Sequence, residues 1–318
     1  MTEAWTTLEG LPDELLRLVE RCVRADGGMP LATEPWFLRR RWAADGGRAF
    51  ALRAPGSPAA PDNAVSPGGS AAGAGAVAAG ALLAAGAVCP TGDGVIVTGL
   101  VDPDARGRGL GAEVLDRCLA SAAEISAGGE GRAPLEVTIE SESLTDEAAA
   151  LFVSRGFRQV FAEDVMRAEV KDATPAIWPA GATLSEWSGE TASRFHAVYR
   201  AAFRDRPGFP DEPAAEWIAE YDEDDDFRPS WSVLVTLPGL GDAGFITSAL
   251  GWVVQVGVLP AVRGRGLGAA LVCESLARMA ADGATEAWLN VNVNNPGAAA
   301  LYRRLGFADR GRRARYTN

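Results

Sequence analysis

The chain has 318 residues, a formal net charge of −12 and 47% hydrophobic residues, which together predict about two globular domains. An acidic chain argues against a nucleic-acid partner, because phosphates need a basic face, and it suits a cationic substrate such as an amine. The chain has one histidine, an acidic N-terminus, no apolar run of roughly 18 residues, and four cysteines that lie far apart (Cys22, Cys89, Cys118, Cys273). These features predict a cytoplasmic protein with free thiols, no metal site and no membrane segment.

The first half alternates strand-like and helix-like apolar patterns. They predict a strand at 5–8, helices over 11–26 and 33–45, and, after three further strands and a glycine-rich turn, a helix over 112–125 and a strand at 135–140. Thr33 is the predicted cap of the second helix. The segment 54–75 is almost entirely Ala, Gly, Pro and Ser, so we expect a flexible excursion between two strands.

The second half repeats this order. It predicts a strand at 182–187, helices over 189–203 and 211–221, strands at 230–237 and 243–250, and, after the same turn, a helix over 269–283 and a strand at 286–293. Asp211 is the predicted cap of the second of these helices. The basic run RGRRAR at 310–315 predicts a charged last strand and tail rather than an RNA-binding patch.

Each half therefore predicts the pattern β-α-α-β-β-β-α-β-α-β-β. We expect an α/β protein of two tandem domains, each with a central sheet flanked by helices. The domains are predicted at 1–172 and 180–318. Two prolines interrupt the pattern between them, at 171–181.

The repeated turn is the hexapeptide RGRGLG, at 106–111 and again at 263–268. Each copy joins a strand to a helix, where glycines permit close approach of a ligand and the first helical N–H groups lack partners. Such a turn can cradle a phosphate or pyrophosphate. A Walker loop would need Lys-Ser or Lys-Thr, and a dinucleotide fold would need GxGxxG after a first strand. A purely structural turn explains one copy better than two.

The second copy has further residues in a specific order. Val258 and Pro260 precede the turn, and the pattern N-x-x-A-x-x-L-Y-x-x-x-G-F follows from Asn295 through Tyr302 to Phe307. This combination resembles the GCN5-related N-acetyltransferases, the GNAT family. The resemblance covers nearly the whole chain as two copies, and the tandem arrangement resembles mycothiol-synthase-like and antibiotic-cluster acetyltransferases. It implies that each of the two tandem domains has a central mixed, splayed β-sheet flanked by helices.

The resemblance implies an acetyl-CoA-dependent N-acetyltransferase that acts on a small-molecule amine by direct transfer. The implied CoA-binding residues are the strand end (Val256, Gly257, Val258), the turn (Arg263, Gly264, Arg265, Gly266, Leu267, Gly268, Ala269) and Asn295. Tyr302 stands where the family's general acid stands, and would protonate the leaving thiolate. Its alternative role is to pack on an amphipathic helix.

The general base is not identified by the sequence. Mycothiol-synthase-like proteins have a glutamate on the fourth strand, and none occurs between Ser248 and Pro260. The acidic run at 222–226 could attract an amine, although such runs are more often solvated loops. His196 is predicted to be a packing or surface residue on a helix.

The first copy retains the turn, for which the resemblance implies a second CoA site (Arg106, Gly107, Arg108, Gly109, Leu110, Gly111), but it lacks the acid. Counting back from Gly156 as from Gly306 puts Phe152 in the place of Tyr302 and Thr145 in the place of Asn295. We therefore expect the first domain to be catalytically silent. The protein is expected to be a monomer or a homodimer. The alternative is a non-catalytic acyl-CoA-binding or regulatory protein, which the unassigned base favours.

Overall fold

The computed structural model describes residues 4–55, 81–92, 94–127, 135–206 and 208–318. Nearly all of the predicted excursion at 54–75 lies outside these ranges. The chain divides into two compact units: Met1–Asp164 with Arg310–Asn318, and Val165–Asp309. Across the described residues, no helix has both the length and the apolar character to cross a membrane.

The first unit builds a mixed sheet with helices against it. Its elements are β1 (Trp5–Thr7), α1 (Asp13–Asp26), α2 (Pro35–Trp42), β2 (Arg48–Arg53), β3 (Leu82–Pro90), β4 (Gly94–Val101), α3 (Leu110–Ala127), β5 (Glu136–Ser141), α4 (Asp146–Ser154), most of β6 (Arg158–Glu169) and most of β12 (Ala308–Thr317). The strand order is β1-β2-β3-β4-β5-β12-β6. One core lies between α1, α2 and the sheet, where Leu15, Leu18 and Leu38 are almost fully buried.

The second unit has the same architecture. It begins with the last residues of β6. Its further elements are β7 (Thr183–Glu186), α5 (Ala192–Phe203), α6 (Ala214–Asp222), β8 (Val233–Leu237), β9 (Gly241–Ala249), β10 (Trp252–Val258), α7 (Leu267–Ala281), β11 (Glu286–Asn292) and α8 (Pro296–Arg304). The strand order is β6-β11-β10-β9-β8-β7. An aromatic core between α5, α6 and the sheet contains Phe195, Trp217 and Phe245.

The mixed α/β fold predicted from the sequence is confirmed, with one change. Each half ends in a single long strand, β6 or β12, where the sequence predicts two. The boundaries predicted at 1–172 and 180–318 also differ from the compact units, since 310–318 belongs to the first unit. The reason is pairing of β12 with β5, in which Tyr316 lies opposite Ile139.

The arginines of the RGRRAR run contribute to this placement. Arg312 pairs with Asp164 at 2.7 Å, Arg313 with Glu163 at 3.0 Å, and Arg315 with Glu140 at 3.0 Å. These carboxylates lie on strands that neighbour β12. The basic run is therefore a strand with compensated charges, as the sequence favours over an RNA-binding patch.

Two predicted helix caps are wrong. The α2 helix begins after Glu34, and the Thr33 hydroxyl donates instead to Pro30 O at 2.9 Å. The α6 helix begins after Pro213. Asp211 has a left-handed φ of 47° and forms a two-point ion pair with Arg200, at 2.5 and 2.9 Å. In each case a nearby partner satisfies the side chain better than the helix terminus does.

Candidate active site

In the second unit, the turn between β10 and α7 forms an open cradle. Gly264 and Gly266 have left-handed φ values of 76° and 82°, which only glycine adopts at little cost. A Cβ atom added at either position would have no neighbour within 4 Å, so the surface above them is open. The first helical bond runs from Ala270 N–H to Gly266 O, which leaves the preceding N–H groups for a ligand at the positive end of the helix.

The arginine that leads this cradle serves the protein rather than a ligand. Its Nε donates to Val258 O at 3.1 Å, and its Nη2 donates to Ala202 O at 2.6 Å. The guanidinium of Arg263 therefore ties the turn to the end of β10 and to the end of α5. Binding of an anion falls to the backbone N–H groups, and the arginine holds them in place.

The strands beside the cradle part, as the family resemblance implies. β10 pairs with β11 in parallel at Trp252 and Trp288. On its other side, β10 continues to pair with β9 as far as Val258, with a bulge between Val253 and Gln255. The edge of β10 that faces β11 thus loses its ladder partner beyond Trp252. A ligand backbone could bind to the N–H and C=O groups left on this edge.

Two amide side chains at this gap were not identified from the sequence. Gln255 of β10 and Asn290 of β11 each have a buried side-chain oxygen without a hydrogen-bond partner in the part of the chain that the structure describes. Buried acceptors in that condition are costly and call for a donor. The pantetheine arm of CoA has amide N–H and hydroxyl donors, so these residues fit the cosubstrate. The only sequence signal was their place on two strands that meet at the cradle.

Tyr302 lies on α8, the helix that Asn295 caps by accepting from Ala298 N–H at 3.2 Å. Its ring packs on Phe307, with ring centroids 5.9 Å apart. Burial raises the pKa of Tyr302 to about 12, so the phenol keeps its proton at neutral pH. The described residues provide no hydrogen-bond partner for this hydroxyl. The side chain thus combines a packing role with a free proton donor.

The other charged or titratable candidates have structural partners. His196 is buried, packs on Trp217 and has Nε2 3.0 Å from Glu212 O, which agrees with the predicted packing role. In the acidic run, Asp222 accepts from Trp187 Nε1 at 3.3 Å, and Asp224 accepts from Asp226 N–H at 2.9 Å. This run is an exposed turn. No carboxylate lies on β10, so the structure also leaves the base unassigned.

The first unit has its own cradle. Gly107 and Gly109 have φ values of 75° and 83°, again with open space where a Cβ atom would lie. Arg106 donates to Val101 O at 3.3 Å, as Arg263 does to Val258 O. Its guanidinium differs by forming a two-point ion pair with Asp26 of α1, at 2.6 and 2.7 Å.

A cavity of about 600 Å³ adjoins this first cradle, between α1, α2, β4 and β5. Phe152 lines the cavity and packs on Tyr316, with ring centroids 5.2 Å apart. Thr145 caps α4 by accepting from Ala148 N–H at 3.2 Å, just as Asn295 caps α8. The predicted correspondence of these positions between the halves is therefore confirmed, and it places a phenyl ring where the second unit has a phenol.

An open glycine cradle beside a parted parallel pair of strands occurs twice in the chain, and this arrangement fits a tandem protein of the acetyltransferase class that the comparisons identify. The Acetyltransferase (GNAT) family profile matches residues 187–307. A mycothiol acetyltransferase of Nocardioides sp. is 33% identical over 230 residues, which cover 65% of this chain and 75% of that protein.

Two solved structures have the same fold over the whole chain. A GCN5-related N-acetyltransferase from Sphaerobacter thermophilus superposes with a TM-score of 0.66 at 22% identity, covering 99% of this chain and 95% of that one. A tandem GNAT protein from the clavulanic acid biosynthesis pathway superposes with a TM-score of 0.56 at 16% identity, covering 100% and 98%. The chain belongs to the GNAT acetyltransferase family and is an N-acetyltransferase of the tandem type.

Proposed function

We propose that the second unit transfers the acetyl group of acetyl-CoA directly to a small-molecule amine, and that the first unit is catalytically silent. The observation that carries this proposal is the coincidence, in the second unit alone, of an open cradle, a bulged and parted β10 and an unpartnered phenol. The first unit has the cradle and the parted strands, but Phe152 has no proton to donate.

The reaction needs four events. The cradle N–H groups near Arg263 hold the pyrophosphate, so that the pantetheine runs into the gap between β10 and β11. The neutral amine attacks the thioester carbonyl, and N–H groups on the free edge of β10 stabilise the oxyanion. The carbon–sulfur bond breaks, and Tyr302 donates its proton to the thiolate. The new amide loses its extra proton to water, which then returns a proton to the phenolate.

The retained proton is consistent with this role for Tyr302. A group whose pKa is raised to about 12 stays protonated until the pH approaches that value. Loss of activity through ionisation of Tyr302 would therefore fall well above pH 10. The lower limit of activity would be set by the amine substrate, which must be neutral to attack.

The first unit would bind CoA at Arg106, Gly107, Arg108, Gly109, Leu110 and Gly111 without turning it over. The left-handed glycines and the open surface of its cradle support binding. This unit would contribute to stability and ligand binding rather than to chemistry.

A non-catalytic CoA-binding protein is the second candidate, because β10 has no carboxylate to act as a base. Release of thiol from acetyl-CoA separates the two, measured across a panel of primary amines. Since relatives are named mycothiol acetyltransferases, the panel includes the free-amine form of mycothiol. Amine-dependent release with at least one member supports the enzyme. Release that no amine accelerates, despite measurable CoA binding, would support the binding protein instead.

A further inference from the structure

The cavity of the first unit extends beyond the cradle to an apolar region under α2. Leu38 and Trp42 of α2 line it on one side, and Val19 and Cys22 of α1 line it on another. All four side chains are buried and belong to the core of the unit. A cavity of about 600 Å³ with such walls has the size and character of a small-molecule site.

Glu142 brings a carboxylate to the wall of this cavity. Its position just past β5 is fixed by its backbone, since Met29 N–H donates to Glu142 O at 2.9 Å. Oε1 lies 3.4 Å from Nη2 of Arg41. The second oxygen, Oε2, is buried and has no hydrogen-bond partner among the described residues. Such an orphaned acceptor costs free energy until a donor reaches it.

The cations near Glu142 are shared with other carboxylates. Arg41 also forms an ion pair with Glu140, and Arg315 binds Glu140 at 3.0 Å. Burial raises the pKa of Glu142, and Glu140 acts in the same direction, against Arg313, Arg41 and Arg315. The raised pKa of Glu142 is therefore due mainly to burial, whereas the three arginines favour its charged carboxylate.

A second orphaned oxygen lies on another wall of the same cavity. Thr98 of β4 has a buried hydroxyl without a partner in the described part of the chain. A protonated primary amine has three N–H donors, which is what two unsatisfied acceptors require. A hydrogen bond from an ammonium group to Oε2 of Glu142 would be charge-assisted, which is the stronger kind.

We propose that the first unit contains a binding site for a small primary amine with an apolar substituent, whose ammonium group donates to Oε2 of Glu142 and to the hydroxyl of Thr98. The apolar substituent lies against Leu38 and Trp42. The site is separate from acetyl transfer in the second unit, so either can exist without the other.

The second unit has no carboxylate at the position that corresponds to Glu142. Counting back from Gly306 as from Gly156 places Asn292 where the first unit has Glu142. Asn292 is neutral, and its Oδ1 is already satisfied by Asn294 N–H at 3.0 Å. Binding of an amine through this position is therefore specific to the first unit.

Isothermal titration of the full chain tests the proposal with matched pairs of probes. They are 2-phenylethylamine against 2-phenylethanol, and hexylamine against 1-hexanol. We expect each amine to bind about tenfold or more tightly than its alcohol, because only the ammonium can form a charge-assisted hydrogen bond with Oε2 of Glu142. This comparison uses the wild-type protein and does not depend on the folding of a variant.

Variants then locate the site. Glu142→Gln should weaken each amine by about tenfold and leave the alcohols unchanged. The control is Glu147→Gln, which removes an exposed carboxylate from the rim of the same cavity and should change affinity by less than about twofold. Equal binding of amines and alcohols, absence of amine binding, or an equal loss in both variants would overturn the proposal.

Discussion

The two units begin from the same turn and fill the space beside it differently. In the second unit, Phe195, Tyr199 and Phe203 of α5 all pack on Phe245 of β9. In the first, α1 presents Val19 and Cys22 to a cavity. Large rings fill the space beside β10, whereas a cavity lies next to β4. The comparison shows that the cradle and the space beside it vary independently.

The strands differ in the same way. The described pairs of β4 with β3 run from Val101 to Val95 without a shift in register, and β4 pairs with β5 over residues 94–97 before the two part. β10 has a bulge, and its ladder with β11 is confined to Trp252. A bulge turns a strand and bares its edge. The unit with the phenol is therefore also the unit with the more exposed strand edge.

The largest expected effect comes from removing the phenol. Tyr302→Phe should lower turnover by about 10²-fold and leave the affinity for CoA near that of the wild type, because only proton donation is lost. Steady-state thiol release and equilibrium CoA binding measure the two quantities. Tyr316→Phe is the matched control in the first unit and should change turnover by less than about twofold.

A restoration experiment challenges the assignment of roles to the two units. Phe152→Tyr in the chain that lacks Tyr302 puts a phenol at the equivalent place in the first unit. We expect no recovery, because the strand next to that position has no bulge. Recovery of turnover would show that the first unit is not silent.

The cradles are compared by adding a methyl group to each. Gly266→Ala and Gly109→Ala force a left-handed φ on alanine, at a cost of about 1–2 kcal/mol each, and place a methyl group on the open surface. Gly266→Ala should weaken CoA binding by about tenfold and reduce turnover at low acetyl-CoA. Gly109→Ala should weaken a second binding event and leave turnover unchanged. Two variants with identical effects on turnover would contradict separate roles.

The smallest effect concerns stability of the first unit. Asp26→Asn removes the charge that holds Arg106, and its side chain is only 8% exposed. We expect the free energy of unfolding to fall by about 1–2 kcal/mol in urea titrations. Asp116→Asn, which breaks the exposed pair with Arg155, should lower the free energy of unfolding by much less. Equal losses of unfolding free energy in the two variants would show that the pair of Arg106 with Asp26 stabilises the unit no more than the exposed pair does.

The sequence predicted the architecture because its signals are local. The glycine-rich turns at 106–111 and 263–268 and the apolar periodicity of each helix depend on neighbours within a few residues. The predicted helix caps at Thr33 and Asp211 are wrong because these side chains bind Pro30 and Arg200 instead. The sequence pattern does not take those partners into account.

Long-range features were not predictable in this way. Nothing near Arg310 shows that the last strand pairs with β5 of the first unit, since the carboxylates that compensate it lie more than a hundred residues away. The cavity next to Phe152 depends on which side chains α1 and α2 place over the sheet. The unpaired oxygens of Gln255 and Asn290 depend on the parting of β10 and β11, which is a long-range feature.

The most direct test of the account is the crystal structure of the protein with acetyl-CoA bound. The account predicts pyrophosphate on the backbone N–H groups at 264–269, the thioester between β10 and β11, and the hydroxyl of Tyr302 within hydrogen-bonding distance of the sulfur. Acetyl-CoA bound in the first unit alone, or a phenol turned away from the sulfur, would contradict it.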